Sequence, residues 1–472
     1  MNSLNWIDYS IIIIYFLVVL YIGYIVKKRA SKLDEYFLAG RRLTLPVFVA
    51  TLVSTWYGGT LGVVELSFNS GLVNWLTQGA FWYLSYLFFA LFLSKKIRES
   101  NLYTVADQLE KFYGKKARVI GAVLNYLMVS PAPYFLSLGI IASVLFSWPV
   151  WLGILLGAVT VFFYTWRGGF VGDVYTDVLQ FVVMYIGVGL VIPFAILKFG
   201  GLSFLQANLS ATHLTLTGGW TTQMILVWGF IACWTLVDPS FYQRCYATKD
   251  ASIPKKGILI AILFWFVFDF FTTTIGLYAR ASMPDILPAT SLLTFSLSIL
   301  PVALKGLFVA GVLASVMSTV DSFLLLSAMN FSHDIYARVW RPMASEKQII
   351  KVTKIGMVIT IVISVIIACF FRSIIGMFYT IGTIGISGLL VPLLFGFFTK
   401  KFKNEYAAVS SMISGTVLSI IWMTNGYLHQ VDGWPTYWFG LEPLYPGLLI
   451  STIIFIIVNL IKQRQIIKST FT

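Results

Sequence analysis

The stretch LASVMSTVDSFLLLS, residues 313–327, places Ser315, Ser318, Thr319 and Ser322 at i, i+3, i+4 and i+7, with Asp321 among them. At 3.6 residues per turn the four hydroxyls share one helical stripe, and Asp321 lies one turn on from Ser318, about 60° around. Hydroxyl and carboxylate oxygens are hard ligands, suited to an alkali cation and poorly suited to soft metals. A stripe of small residues also makes a plain helix-packing face, which explains the serines but not the aspartate. Ionised carboxylates are costly in hydrocarbon, and five fall inside apolar segments: Glu65, Asp177, Asp238, Asp269 and Asp321. No lysine or arginine is expected deep in a segment beside them. Either some of the five are protonated or cations visit them.

Other chemistries find little support. The three cysteines, Cys233, Cys245 and Cys369, sit in or beside apolar segments without metal-ligand spacing. The three histidines, His213, His333 and His429, are expected in loops or at helix ends, and no HExxH is present. A membrane-embedded enzyme would need a nucleophile–base pair or a metal cluster, and these residues supply neither. No catalytic residue and no bound cofactor are assigned.

The elements that must position the polar residues are membrane spans. Of 472 residues 58% are hydrophobic and 11% charged, and the mean hydropathy is +0.85, so the chain reads as an all-α polytopic membrane protein. Windows of about 20 apolar residues occur at 6–26, 44–69, 74–94, 119–146, 149–166, 174–197, 221–243, 257–279, 304–330, 352–371, 373–398, 405–425 and 445–461, about thirteen spans. The first is preceded by MNSLNWIDYS and followed by KKRASK, the reverse of a signal peptide's charge order, which predicts an uncleaved span with its N-terminus outside. Strict alternation from there puts 29 of the 33 Lys and Arg on the inner side, leaving only Lys198, Arg280, Lys305 and Arg372 elsewhere. The net charge of +14 is thus topology rather than a nucleic-acid surface, with contact to anionic lipid as a by-product. The C-terminus falls inside. Residues 103–116, YTVADQLEKFYGKK, read as an amphipathic helix on the inner face.

Two spans are interrupted. STWYGGTLG (54–62) carries three glycines in mid-span, and LVDPS (236–240) carries Pro239 behind Asp238. Each interruption lies in the first helix of a five-span unit, 44–198 and 221–401, with 6–26 leading and 405–461 supplying two trailing spans. Units of odd span number have opposite topologies. That is the pattern of an inverted-repeat secondary transporter with its site at the membrane midplane, in a single domain spanning 1–472. Gly382, Gly385 and Gly388 recur every three residues in TIGTIGISG, where they either let the helix bend as a gate or pack it closely against a neighbour.

Five stretches in order, LDEYFLAGRR (33–42), RGGFVGDVYTDVLQ (167–180), FYQRCYATKD (241–250), GVLASVMSTVDSFLLLSAMNFSHDIY (311–336) and VPLLFGFFTKK (391–401), make the chain resemble the sodium:solute symporters, carriers of proline, sugars, sialic acid, pantothenate and choline. The resemblance implies a first Na⁺ between backbone carbonyls of Ser54, Tyr57 and Ser315 and the hydroxyls of Ser318 and Thr319. Some members have a second cation site, Na⁺ or H⁺, which the resemblance would put at Asp177, Asp321 and Ser322, with Asp177 alternatively an ion-release or structural residue. Substrate contacts are expected from Thr60, Leu61, Gln78, Trp234, Asp238 and Phe241. Asp238 stands where sugar carriers have an amide, and a carboxylate among aromatics favours an amine or quaternary ammonium, although Asp238 could equally cap its half-helix. Asp269 receives no role. The expected activity is Na⁺-coupled import of a small organic solute across the plasma membrane, the inner membrane in a Gram-negative cell. The alternatives are proton coupling, or a channel or sensor on the same fold. Na⁺, the solute and membrane lipid are the partners, with no nucleic acid.

Overall fold

The computed structural model describes residues 4–26, 32–371, 373–431 and 434–471. The basic residues 27–29 and Arg372, counted above, lie outside these, as does the Arg167 side chain. The described chain is helical apart from a two-residue antiparallel ribbon pairing Gln430–Val431 with Trp434–Pro435. Among the described residues, twelve helices are long and apolar enough to cross a bilayer. The additional span expected at 149–166 is a shorter apolar helix, Val150–Phe163. It runs on into the next span within Val150–Gly189, bent at Gly169, whose φ is 53° and ψ −157°. A Cβ there would stand 2.7 Å from the Tyr36 ring, so the positive φ and the close approach both require glycine.

The second span is two half-helices, Leu45–Trp56 and Thr60–Ser70, joined through a tight 3₁₀ turn at Tyr57–Gly59. The break changes the pitch without extending the backbone: Tyr57 sits at φ −92°, ψ 13° and Gly59 at φ −79°, ψ 12°. The glycines serve close approach. A Cβ on Gly58 would lie 2.3 Å from Thr319 Oγ1, and one on Gly59 would lie 2.7 Å from the Phe378 ring. The 222–247 span is interrupted in a related way, by a 3₁₀ stretch at Ala232–Leu236 followed by a new half-helix, Pro239–Ala247. Pro239 begins that half-helix where its missing N–H costs nothing, and Asp238 caps it.

Leu304–Met329 is the central element; its apolar window is entirely buried, whereas that of Trp6–Ile25 is only 17% buried. Asp8, on the first span, fixes its start by accepting the Ala303 and Gly306 N–H groups at 2.8 and 2.9 Å, a carboxylate at a helix N-terminus. The helix Ile374–Phe398 is unbroken. Its glycines are packing contacts: Gly382 meets Trp234, Gly385 meets Met128, and Gly388 meets Leu124 and Thr416. The expected inner helix is Val105–Tyr113, opened by a capping box between Thr104 and Asp107.

Candidate ion and solute site

The broken second span and the 304–329 helix meet along the hydroxyl stripe. Ser318 donates to the Ser54 carbonyl at 2.9 Å, Ser315 to the Tyr57 carbonyl at 2.7 Å and Thr319 to the Thr55 carbonyl at 2.6 Å. Ser318 and Thr319 also reach back to the Ser315 carbonyl at 3.0 and 3.3 Å. Ser54, Ser315, Ser318 and Thr319 are fully buried. The five residues named for the first Na⁺ thus lie together, and their carbonyl and hydroxyl oxygens are neutral hard donors of the kind Na⁺ takes. Thr60 joins them, with Oγ1 at 2.6 Å from Ser315 Oγ and 2.5 Å from the Tyr57 carbonyl.

Of the residues named for a second ion, Asp177 and Ser322 share Thr55 and Arg244 as partners. Asp177 accepts from Thr51 and, at 3.3 Å, from Thr55, while Ser322 donates to Asp173 at 2.6 Å and lies 3.3 Å from Thr55. Asp321 lines a small cavity of about 10 Å³ with Asp173, Thr165, Thr176 and four glycines, Gly23, Gly168, Gly169 and Gly172. The expectation that no basic side chain lies deep beside the carboxylates is overturned. Arg244, on the 239–247 half-helix, is completely buried. Its guanidinium donates to Thr55 and to Ser322 at 2.9 Å, and stands 3.4 Å from Asp177 and 3.9 Å from Asp173. Counting charges by side of the membrane had put Arg244 in an inner loop. The half-helix running through it carries it inward instead.

Next to the ion position is a cavity with about 80 Å³ of space accessible to water. Of the six residues expected to touch solute, Gln78, Trp234 and Asp238 line it. Thr60 and Leu61 do not, and Phe241 stands behind its wall, stacked on Tyr86 at 5.7 Å between ring centroids. The wall is aromatic, built from Trp56, Trp82, Tyr86, Tyr134, Trp228 and Phe378, none of which had been singled out. Asp238 spends both oxygens locally, accepting Ser240 N–H at 2.6 Å and Trp234 Nε1–H at 2.9 Å, as a helix cap does. Asp269 also lines the cavity, and the hydroxyls of Tyr57 and Tyr83 each hold one of its oxygens. Its signal in the sequence was a lone carboxylate within FWFVFDFFTTT.

A further polar cluster gathers around Arg118. Arg118 pairs with Asp107 and Asp334, both at 2.8 Å, and with Glu110; His333 Nε2 lies 3.1 Å from Asp107. Burial alone would raise the Asp107 carboxyl, but the His333 hydrogen bond and the Arg118 charge hold it below its ordinary value. Asp107, His333 and Asp334 offer ligand atoms within 4.8 Å of one another. The guanidinium already supplies positive charge there, so the cluster is an ion-pair lattice.

A broken helix that presents backbone carbonyls to a hydroxyl stripe, beside a buried aromatic cavity, defines an ion-coupled carrier of small solutes. The chain belongs to the sodium:solute symporter family, whose model matches residues 36–415, and is a sodium-coupled solute symporter rather than an enzyme. It is 29% identical over 438 residues to the high-affinity choline transporter 1 of Drosophila melanogaster, covering 85% of this chain and 68% of that protein. It is 25% identical over 481 residues to the osmoregulated proline transporter OpuE of Bacillus subtilis (strain 168), covering 96% and 94%. A solved structure of a Na⁺-coupled sialic acid symporter shares the fold, with a TM-score of 0.79 at 20% identity over 97% of both chains.

Proposed function

We propose that this symporter imports a small organic cation of the quaternary ammonium type, one Na⁺ being bound by the Ser54, Tyr57 and Ser315 carbonyls and the Ser318 and Thr319 hydroxyls. The observation that carries the ion position is the set of three hydroxyl-to-carbonyl contacts, 2.6–2.9 Å long, between the broken span and the 315–319 stripe. Na⁺ would replace the hydroxyl protons as the partner of the Ser54 and Tyr57 carbonyls, tying the two elements together. The aromatic wall supports the solute reading, because ring faces attract a cation that cannot donate hydrogen bonds, and Asp269 supplies the opposite charge. The likeness to choline carriers from Drosophila melanogaster and Caenorhabditis elegans points the same way.

The N-terminus lies outside, the 44–198 and 221–401 units form an inverted repeat, and transport is by alternating access in the plasma membrane. Na⁺ entering down its gradient contributes about 2.3 kcal/mol per charge per 100 mV from the potential alone. Coupling is reciprocal, so solute raises Na⁺ affinity as Na⁺ raises solute affinity. The test is labelled-choline uptake into proteoliposomes with an imposed Na⁺ gradient. The unmodified chain concentrates choline only with Na⁺, and the Ser318→Ala/Thr319→Ala double variant loses the Na⁺ stimulation. Sodium dependence that survives the double substitution would refute the ion position. Equal fluxes with and without the gradient would indicate a channel.

A further inference from the structure

Tyr57 belongs to both halves of the site. Its carbonyl accepts the Ser315 hydroxyl at 2.7 Å, at the ion position. Its hydroxyl donates to Asp269 and lies 3.2 Å from the Trp265 carbonyl, on the wall of the solute cavity. Four residues of the broken span bond across to the 315–319 stripe, namely Ser54, Thr55, Tyr57 and Thr60. Of these four only Tyr57 also lines the cavity. The ring between its two polar ends is fixed: it is 5% exposed and packs on Phe268 with ring centroids 4.3 Å apart.

Resting on the reading that Na⁺ sits on the Tyr57 carbonyl and that the solute is an organic cation, we propose that Tyr57 is the positioning residue that couples ion to solute. A cation on the carbonyl fixes the peptide plane in the 3₁₀ turn, and with it the direction of the rigid side chain. The hydroxyl then holds one Asp269 oxygen while Tyr83 holds the other, so the carboxylate meets the solute's positive charge in one orientation. In the opposite direction, a cation drawn to Asp269 fixes the tyrosine and preorganises the carbonyl for Na⁺. Asp269 thereby acts as the charge-reading group of the cavity, and the link from ion to solute is one side chain long.

Equilibrium binding of labelled choline to the full chain in lipid nanodiscs, in sodium chloride and in potassium chloride, tests this. The unmodified chain is expected to bind choline at least about tenfold more tightly in sodium. Tyr57→Phe keeps the backbone carbonyl and the ring but loses the hydroxyl, and the sodium-to-potassium ratio is expected to fall below about twofold. Tyr126→Phe is the control for losing a partly buried tyrosine hydroxyl, because that hydroxyl pairs with Thr360 at 3.1 Å, outside the site. It is expected to keep the full ratio. An unchanged ratio in Tyr57→Phe overturns the coupling role, as does an equal loss of affinity in both salts, which would make Tyr57 a ligand and not a link. A collapsed ratio in Tyr126→Phe overturns it too. Absence of choline binding to the unmodified chain overturns the solute reading together with this inference, an outcome distinct from the others.

Discussion

Arg244 shows how one residue can decide whether a buried acidic site is tenable. Asp173 and Asp177 lie within 3.9 Å and 3.4 Å of its guanidinium, and all three side chains are almost wholly withdrawn from solvent. Removing one member of a buried ion pair leaves a charge without compensation and costs about 3–5 kcal/mol. Arg244→Gln is therefore expected to destabilise the protein by about that amount, while Asp177→Asn/Arg244→Gln recovers part of the loss because one orphaned charge goes with its partner. Reversible unfolding of purified protein under identical detergent conditions measures both. A single substitution costing under about 1 kcal/mol, the range of exposed pairs, would show that the arginine does not neutralise these carboxylates. Arg244 also donates to Thr55, whose carbonyl accepts Thr319, so the same guanidinium backs the proposed ion position.

At the scale of elements, function depends on how closely the broken span approaches the 304–329 helix, and Gly58 sets that distance. A methyl at position 58 would come within 2.3 Å of Thr319 Oγ1 and 2.4 Å of its Cβ, on a side chain held by two carbonyls. Gly58→Ala is expected to push the elements apart and weaken ²²Na⁺ binding at least about tenfold, equivalent to roughly 1.4 kcal/mol. Scintillation proximity with the purified chain measures this, and unaltered Na⁺ affinity would mean that the gap at the stripe does not matter. The hydroxyl stripe, the two interruptions and the glycines were legible in sequence because each is local, a matter of spacing or of backbone freedom. The orientation of Thr60 and Leu61 was not. A 3₁₀ turn at 57–59 advances about 120° per residue in place of 100°, so α-helical arithmetic loses its phase there. Charge counting gave Arg244 a side of the membrane but no depth. The aromatic wall was invisible for another reason: Trp56, Trp82, Tyr134 and Trp228 come from four different helices, and an apolar span does not announce which of its rings face inward.

Across the whole molecule, the two ends of the bundle are tied by different chemistry. At one end, Glu65 on the 60–70 half-helix accepts the Ser373 hydroxyl at 2.8 Å, at the start of the 374–398 helix. At the other end, the lattice of Arg118, Asp107, Glu110 and Asp334 joins the 105–113 helix and the 115–128 helix to the last turns of the 304–340 segment, with Thr104 donating to Asp334 at 2.8 Å. Opening of the bundle at the lattice end must break these bonds, and a hydrogen bond to a charged group contributes about 1.5–3 kcal/mol. Asp334→Asn removes one charge while keeping the shape of the side chain. It is expected to raise the population open to the inner side by about tenfold or more, since roughly 1.4 kcal/mol is a factor of ten. Cys245, fully buried on the 239–247 half-helix one residue from Arg244, reports that opening. In a background of Cys233→Ser and Cys369→Ser, a membrane-impermeant maleimide applied from the inner side should label Cys245 correspondingly faster in Asp334→Asn. Na⁺ should slow the labelling by holding the broken span to the stripe. Equal rates with and without the substitution would mean that the inner barrier is the hydrophobic packing around Tyr242 and Tyr246, and that the ion pairs only decorate it.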